Sequence, residues 1–139
     1  MKADTKTEAD VMDVLGRFIT AYNEKDINGI LRLFAPDPDA VFYGNGEDEK
    51  SIGIEGIREQ AEHDWAQDAS ITLEVKWSSV SSIGLAAWLA ADIEIHAWVR
   101  GVEMVMPARL TAVLENRAGK WLFMQWHTSL PTVEESENK

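Results

Sequence analysis

The chain has 139 residues, 45% of them hydrophobic and six of them tryptophan, enough for one sizeable core and too few for two domains. Thirteen basic against twenty-four acidic residues give a net charge of −11, which repels phosphate backbones and anionic lipid, so neither a nucleic-acid nor a membrane partner is expected. Cysteine is absent, which excludes disulfide and thiolate chemistry and suits a reducing compartment. With no apolar signal segment at the start and no run near the roughly 18 apolar residues of a membrane span, a cytoplasmic protein is expected.

In chain order, residues 1–6 read as a flexible N-terminus. From Thr7 to Lys25, Val11, Val14, Leu15, Phe18, Ile19 and Tyr22 recur at steps of three and four, the signature of a helix with one buried stripe. Asp26 can cap a short second helix, Ile27 to Ala35, which Pro36 and Pro38 stop. Ala40 to Gly44 reads as a short strand and Asn45 to Ser51 as an exposed polar loop. A third helix is expected from about Ile54 to Gln67, with Ile54, Ile57, Ala61 and Trp65 inward.

After Ala69 the period falls to two. Ile71, Leu73, Val75 and Trp77 form one apolar face; Leu89, Ala91, Ile93 and Ile95 form the next, opposite Asp92, Glu94, His96 and Trp98. Arg100-Gly101 marks a hairpin turn. Two further strands flank Asn116 to Lys120, where Gly119 supplies the positive φ such a loop needs. Strict alternation puts Leu110, Ala112 and Leu114 on one face of the first. It puts Leu122, Met124, Trp126 and Thr128 on one face of the second, with Trp121, Phe123, Gln125 and His127 on the other. Helices first and antiparallel strands afterwards give an α+β domain over residues 7–131, followed by a flexible acidic tail, 132–139.

Two segments, Phe18-Ile-Thr-Ala-Tyr-Asn-Glu-Lys-Asp-Ile-Asn-Gly-Ile-Leu-Arg-Leu-Phe-Ala35 and Gly119-Lys-Trp-Leu-Phe-Met-Gln-Trp-His-Thr-Ser129, resemble the nuclear transport factor 2-like superfamily. The first is similar to the helix-corner-helix of ketosteroid isomerases and SnoaL-like proteins. The second is similar to the closing strand of SnoaL-like domains and of the calcium/calmodulin-dependent kinase association domain. The resemblance implies a cone-shaped fold in which three N-terminal helices pack on a curved antiparallel sheet. It further implies a mostly apolar pocket at the open end and a homodimer through the convex face.

An isomerase of this superfamily needs a carboxylate base, which the resemblance places at Tyr43 or Gly44, and oxyanion donors, placed at Phe18 and near Thr111 or Ala112. None of these residues can serve. The kinase association domain carries arginines where Thr128 and Ala112 stand, so a basic pocket of that kind is not expected either; Arg58 and Arg109 are the remaining nearby cations.

The expected pocket lining is Tyr22, Tyr43, Trp77, Trp126 and Thr128, an apolar wall with a few hydroxyl and indole donors for an apolar or weakly polar small ligand. Asp64, Tyr22 and His63 are the candidate acid–base groups. Trp98, Thr111, Phe123, Gln125 and His127 are the expected dimer interface. Asp92, Glu94 and His96 share one strand face at a spacing that suits a metal, but Ile93 and Ile95 opposite them belong to the core. The trio is therefore read as facing solvent or a partner, and no metal or cofactor is expected. The leading reading is a ligand-binding domain without a recognisable catalytic set. An isomerase, cyclase, hydratase or hydrolase built on Asp64, Tyr22 and His63, and an oligomerisation module, are the alternatives.

Overall fold

The computed structural model describes residues 1–66 and 69–132. The Asp4 carboxylate accepts the Thr7 N–H at 2.7 Å and so caps helix α1 (Thr5–Asn23), whose buried stripe is Val11, Val14, Leu15, Phe18 and Ala21. Residues 1–6 are tied down, contrary to the flexible N-terminus that the sequence suggests. Lys2 bridges Ser81, the Ala3 N–H donates to the Val80 carbonyl at 3.0 Å, and Ala3 is buried, because the free edge of a long strand offers acceptors to any chain beside it. The expected tail lies, beyond Thr132, outside the described residues.

Asp26 caps helix α2 (Ile27–Leu31) by accepting the Gly29 N–H at 3.0 Å. This helix ends four residues earlier than its apolar stripe suggests. Leu33 and Ala35 exchange backbone hydrogen bonds with Phe123 instead, at 2.8 and 2.9 Å, so a tertiary pairing overrides the local helical pattern. Strands β1 (Val41–Tyr43) and β2 (Lys50–Ile52) form a small hairpin where one strand and an exposed loop were expected, and helix α3 (Gly53–Trp65) follows.

Four long strands complete the sheet: β3 (Ala69–Ile83), β4 (Ala86–Val99), β5 (Val102–Arg117) and β6 (Lys120–Ser129). The sheet order is β2-β1-β6-β5-β4-β3, with β1 parallel to β6 and every other pair antiparallel. Ala118 and Gly119 both take positive φ, 54° and 88°, as do Arg100 and Gly101, at 54° and 82°. Two consecutive positive φ angles make the tight turn whose twist matches the flanking strands.

Two irregularities decide which face each side chain takes. In β3 the register slips between Val75 and Trp77, and in β6 opposite Val113/Leu114, where Val113 pairs with Gln125 but Leu114 with Phe123. Each bulge inserts one residue, bends its strand and inverts the alternation beyond it. Phe123 is consequently fully buried and Trp121 nearly so, whereas Trp77, expected in the core, is 55% exposed on the outer face. The core joins α1 to the sheet through an aromatic cluster: Phe18 lies 4.3 Å from Trp126 and 6.2 Å from Phe123, ring centre to ring centre, and Phe34 lies 5.3 Å from Phe123. Among the described residues no helix is long and apolar enough to cross a membrane.

Candidate active site and ligand pocket

Helix α1 presents Phe18 and Tyr22 one turn apart on the face that meets the sheet, and α3 presents Asp64 in its last turn. The β1–β2 hairpin closes the space between them. Its backbone pairs Gly44 N–H with the Glu49 carbonyl at 2.8 Å, and the Glu49 carboxylate folds back to accept the Gly46 N–H at 3.2 Å. Together with the inward faces of β3, β4 and β6 these elements enclose a pocket of about 230 Å³.

The walls are apolar: Phe18, Phe42 and Trp126 on one side, Ile71, Leu73, Ile93 and Ile95 on the other. Phe42 and Trp126 stack at 5.5 Å with their planes 14° apart. The polar groups are few and specific, as small-molecule sites usually have them. The Tyr22 hydroxyl donates to Asp64 Oδ2 at 2.9 Å, and Gln60 Nε2 donates to Asp64 Oδ1 at 2.9 Å. Both carboxylate oxygens are thereby oriented, and each keeps lone-pair capacity for a further donor. The buried Trp126 indole donates to Thr128 Oγ1 at 2.7 Å, which leaves the threonine proton available. Burial first, and then the charge and hydrogen bond of Asp64 with the charge of Glu49, push the Tyr22 phenol well above its usual pKa. It stays protonated and acts as a donor at any physiological pH.

Three of the five expected lining residues, Tyr22, Trp126 and Thr128, therefore line this pocket; the other two do not. Trp77 is turned outward by the β3 bulge. Tyr43 alternates with the inward Phe42 and packs against His127 on the outer face, ring centres 5.3 Å apart and planes tilted by 46°. Of the acid–base candidates, Tyr22 and Asp64 meet, while the adjacent His63 lies exposed on α3 and outside the lining. Trp65, next to Asp64, packs against Tyr22 at 5.7 Å, and its buried indole nitrogen has no hydrogen-bond partner among the described residues. The sequence reading missed Phe42 and Glu49. Phe42 sits in a three-residue strand too short for alternation to be read, and Glu49 lies in a stretch whose polarity marks it as solvated.

On the outer face of the sheet, Trp98, Thr111, Gln125 and His127 are exposed as expected, with Thr111 opposite His127 in the ladder. Phe123 is not among them; the β6 bulge puts it in the core. Trp77, Trp88, Val105 and Val113 add apolar area to that face. The polar trio also changes membership. Asp92 pairs in register with Arg109, while His96 is flanked by Glu94 at 3.3 Å and Glu74 at 3.5 Å on Nε2, and by Glu103 at 3.5 Å on Nδ1. The hydrogen bond to Glu103, with help from Glu94, outweighs partial desolvation and raises the His96 pKa.

The SnoaL-like domain family matches residues 11–133 of the chain. Comparison with the curated proteins gives no match. Among solved structures, a nuclear transport factor 2-like superfamily protein from Salmonella enterica serovar Typhimurium is similar at 18% identity and a TM-score of 0.83, covering 96% of each chain. A Xanthomonas campestris protein bearing the name of a calcium/calmodulin-dependent protein kinase II association domain is 22% identical with a TM-score of 0.76, covering 94% of this chain and 91% of that one. A Catenulispora acidiphila protein in complex with S-DNPA is 18% identical with a TM-score of 0.79, covering 91% and 95%. At these identities the likeness is one of fold: helices on a six-stranded curved sheet of the nuclear transport factor 2-like kind.

Proposed function

The chain belongs to the SnoaL-like domain family, and we propose that its pocket binds a small organic molecule whose body contacts the aromatic wall and whose polar end meets Asp64. The observation that carries this reading is the Tyr22–Asp64 hydrogen bond of 2.9 Å at the edge of an apolar cavity of about 230 Å³. A carboxylate beside hydrocarbon is costly unless it is hydrogen-bonded, and here two donors satisfy it and hold its geometry fixed for a ligand's polar end. That a protein of the same fold holds S-DNPA supports a small-molecule role for such a cavity. Thermal-shift screening against steroid-like, polyketide-like, carboxylate-bearing and ammonium-bearing compounds tests it: stabilisation by at least one class, lost in Phe42→Ala and weakened in Asp64→Asn, is the expected result. Silence across the set in a folded protein argues against the reading.

The same pair favours a second reading, proton transfer. Asp64 has the lone pairs to take a proton from a bound molecule, becoming a neutral acid that can return the proton to another atom of it, while Tyr22, held protonated, donates the hydrogen bond that orients the carboxyl group. An isomerase, cyclase or hydratase acting without a cofactor would use the pair in this way. Turnover of any ligand found in the screen, abolished by Asp64→Asn with binding retained, separates enzyme from binding module.

We propose also that the outer sheet face, with Trp98, Thr111, Gln125 and His127 at its centre, forms a homodimer. Exposed tryptophans at positions 77, 88 and 98 leave more apolar surface than a monomer usually shows. Sedimentation at micromolar concentration is expected to give twice the chain mass, and Thr111→Glu to return it to one.

A further inference from the structure

We propose that the ligand of this pocket is an organic cation, a small ammonium compound with an aryl or alkyl body. The inference rests on the reading that the pocket is a ligand site, and it adds the sign of the ligand's charge.

Two carboxylates, Asp64 and Glu49, line the cavity, and no lysine, arginine or histidine does so among the described residues. The basic residues adjacent in sequence to these carboxylates, Lys50 and His63, are exposed and outside the lining. Arg58 pairs with Glu55 at 3.5 Å along α3, Arg109 is exposed opposite Asp92 on the outer face, and Lys25 lines a neighbouring crevice of about 20 Å³ that shares Tyr22, Asp64 and Ile71 with the pocket but does not itself line the pocket. Both acidic groups bear on the same small space, since each adds to the field that holds the proton on the Tyr22 hydroxyl. An anion entering a cavity lined by two carboxylates and, among the described residues, no cation would be repelled. A neutral ligand would leave them uncompensated; a cation would neutralise them.

The aromatic wall fits the same sign. Phe18, Phe42 and Trp126 lie ring against ring, at 4.3 Å for Phe18–Trp126 and 5.5 Å for Phe42–Trp126, and Tyr22 stacks on Phe18 at 6.0 Å. The faces of such rings carry the negative part of the quadrupole, which attracts ammonium groups, and Trp is the best of these rings. The carboxylates supply the charge while the rings exclude strongly hydrated inorganic cations in favour of organic ones. The net charge of −11 draws cations toward the protein in the first place.

The test is a set of three ligands of one shape and three charges, phenethylammonium, 2-phenylethanol and phenylacetate, titrated by calorimetry into the full chain at neutral pH. The expected result is binding of the ammonium about tenfold or more tighter than the alcohol, no binding of phenylacetate, and an ammonium affinity that falls with added salt. Glu49→Gln is expected to narrow the preference for ammonium over alcohol several-fold, and Asp64→Asn to narrow it more strongly. Alcohol binding as tight as ammonium overturns the cation inference and leaves the pocket standing as a ligand site. Phenylacetate binding tightest overturns it likewise. No binding by any of the three overturns both.

Discussion

Tyr22→Phe removes one hydroxyl and keeps the ring, so it isolates the hydrogen bond on which the site is built. The bond is 2.9 Å long, part-buried, and made to a carboxylate that retains Gln60 as its second donor. A hydrogen bond to a charged acceptor contributes about 1.5–3 kcal/mol, and the remaining donor argues for the middle, about 2 kcal/mol at neutral pH. For a domain of this size that is a fall in Tm of about 6–10 °C. The pH dependence adds an independent signature. The folded phenol titrates above its ordinary value of 10.0, so above that pH the unfolded chain loses a proton that the folded chain keeps. Stability from this group is then complete below pH 10 and falls as pH rises, by about 1.4 kcal/mol per unit. The phenylalanine variant lacks this loss, so an initial gap of about 2 kcal/mol should close about 1.5 units above the phenol's ordinary pKa. Urea unfolding of both proteins between neutral pH and about pH 11.5 measures it. Parallel curves over the whole range would refute the claim that Tyr22 is held protonated by burial and by Asp64.

Phe123→Ala should cost about 3–5 kcal/mol in urea unfolding, because the ring is fully buried, whereas Trp77→Ala should change stability by less than about 1 kcal/mol and leave ligand binding intact. The reverse order would mean that the bulges in β3 and β6 are misplaced. Gly16→Ala, at an open and exposed position inside α1, should stabilise by about 0.5–1 kcal/mol, while Gly119→Ala, equally open but at φ 88°, should destabilise by a similar amount from backbone strain alone. The raised pKa of His96 means its contribution is present at low pH and is lost as pH rises through the folded value. His96→Ala should therefore lower the urea midpoint more at about pH 5.5 than at about pH 8.5, and an equal loss at both would remove the ion-pair account.

Much of this architecture is legible in the chain itself. The three-and-four spacing from Val11 to Tyr22, Asp26 as a cap, the Arg100-Gly101 turn and the alternation from Leu89 to Ile95 each follow from local chemistry, since backbone period and capping need no distant partner. Asp64 and Tyr22 were readable as candidates for the same reason: each sits beside an apolar stripe on its own helix.

What the sequence by itself determined, then, is the order and kind of the elements, the face of each regular stretch, and membership of a superfamily through two short segments. Only the tertiary structure decided where alternation breaks. A bulge is a one-residue mismatch between two strands, and neither strand shows it alone; hence Phe123 moved from surface to core and Trp77 from core to surface. The end of α2 was likewise set by backbone bonds to Phe123, about ninety residues away in the chain, which no local propensity encodes. The pocket's charge was decided in the same way. Glu49 reads as a solvated loop residue until the β1–β2 hairpin brings it into the lining of the same pocket as Asp64, and the sign of a cavity is a sum over groups that only the fold brings together.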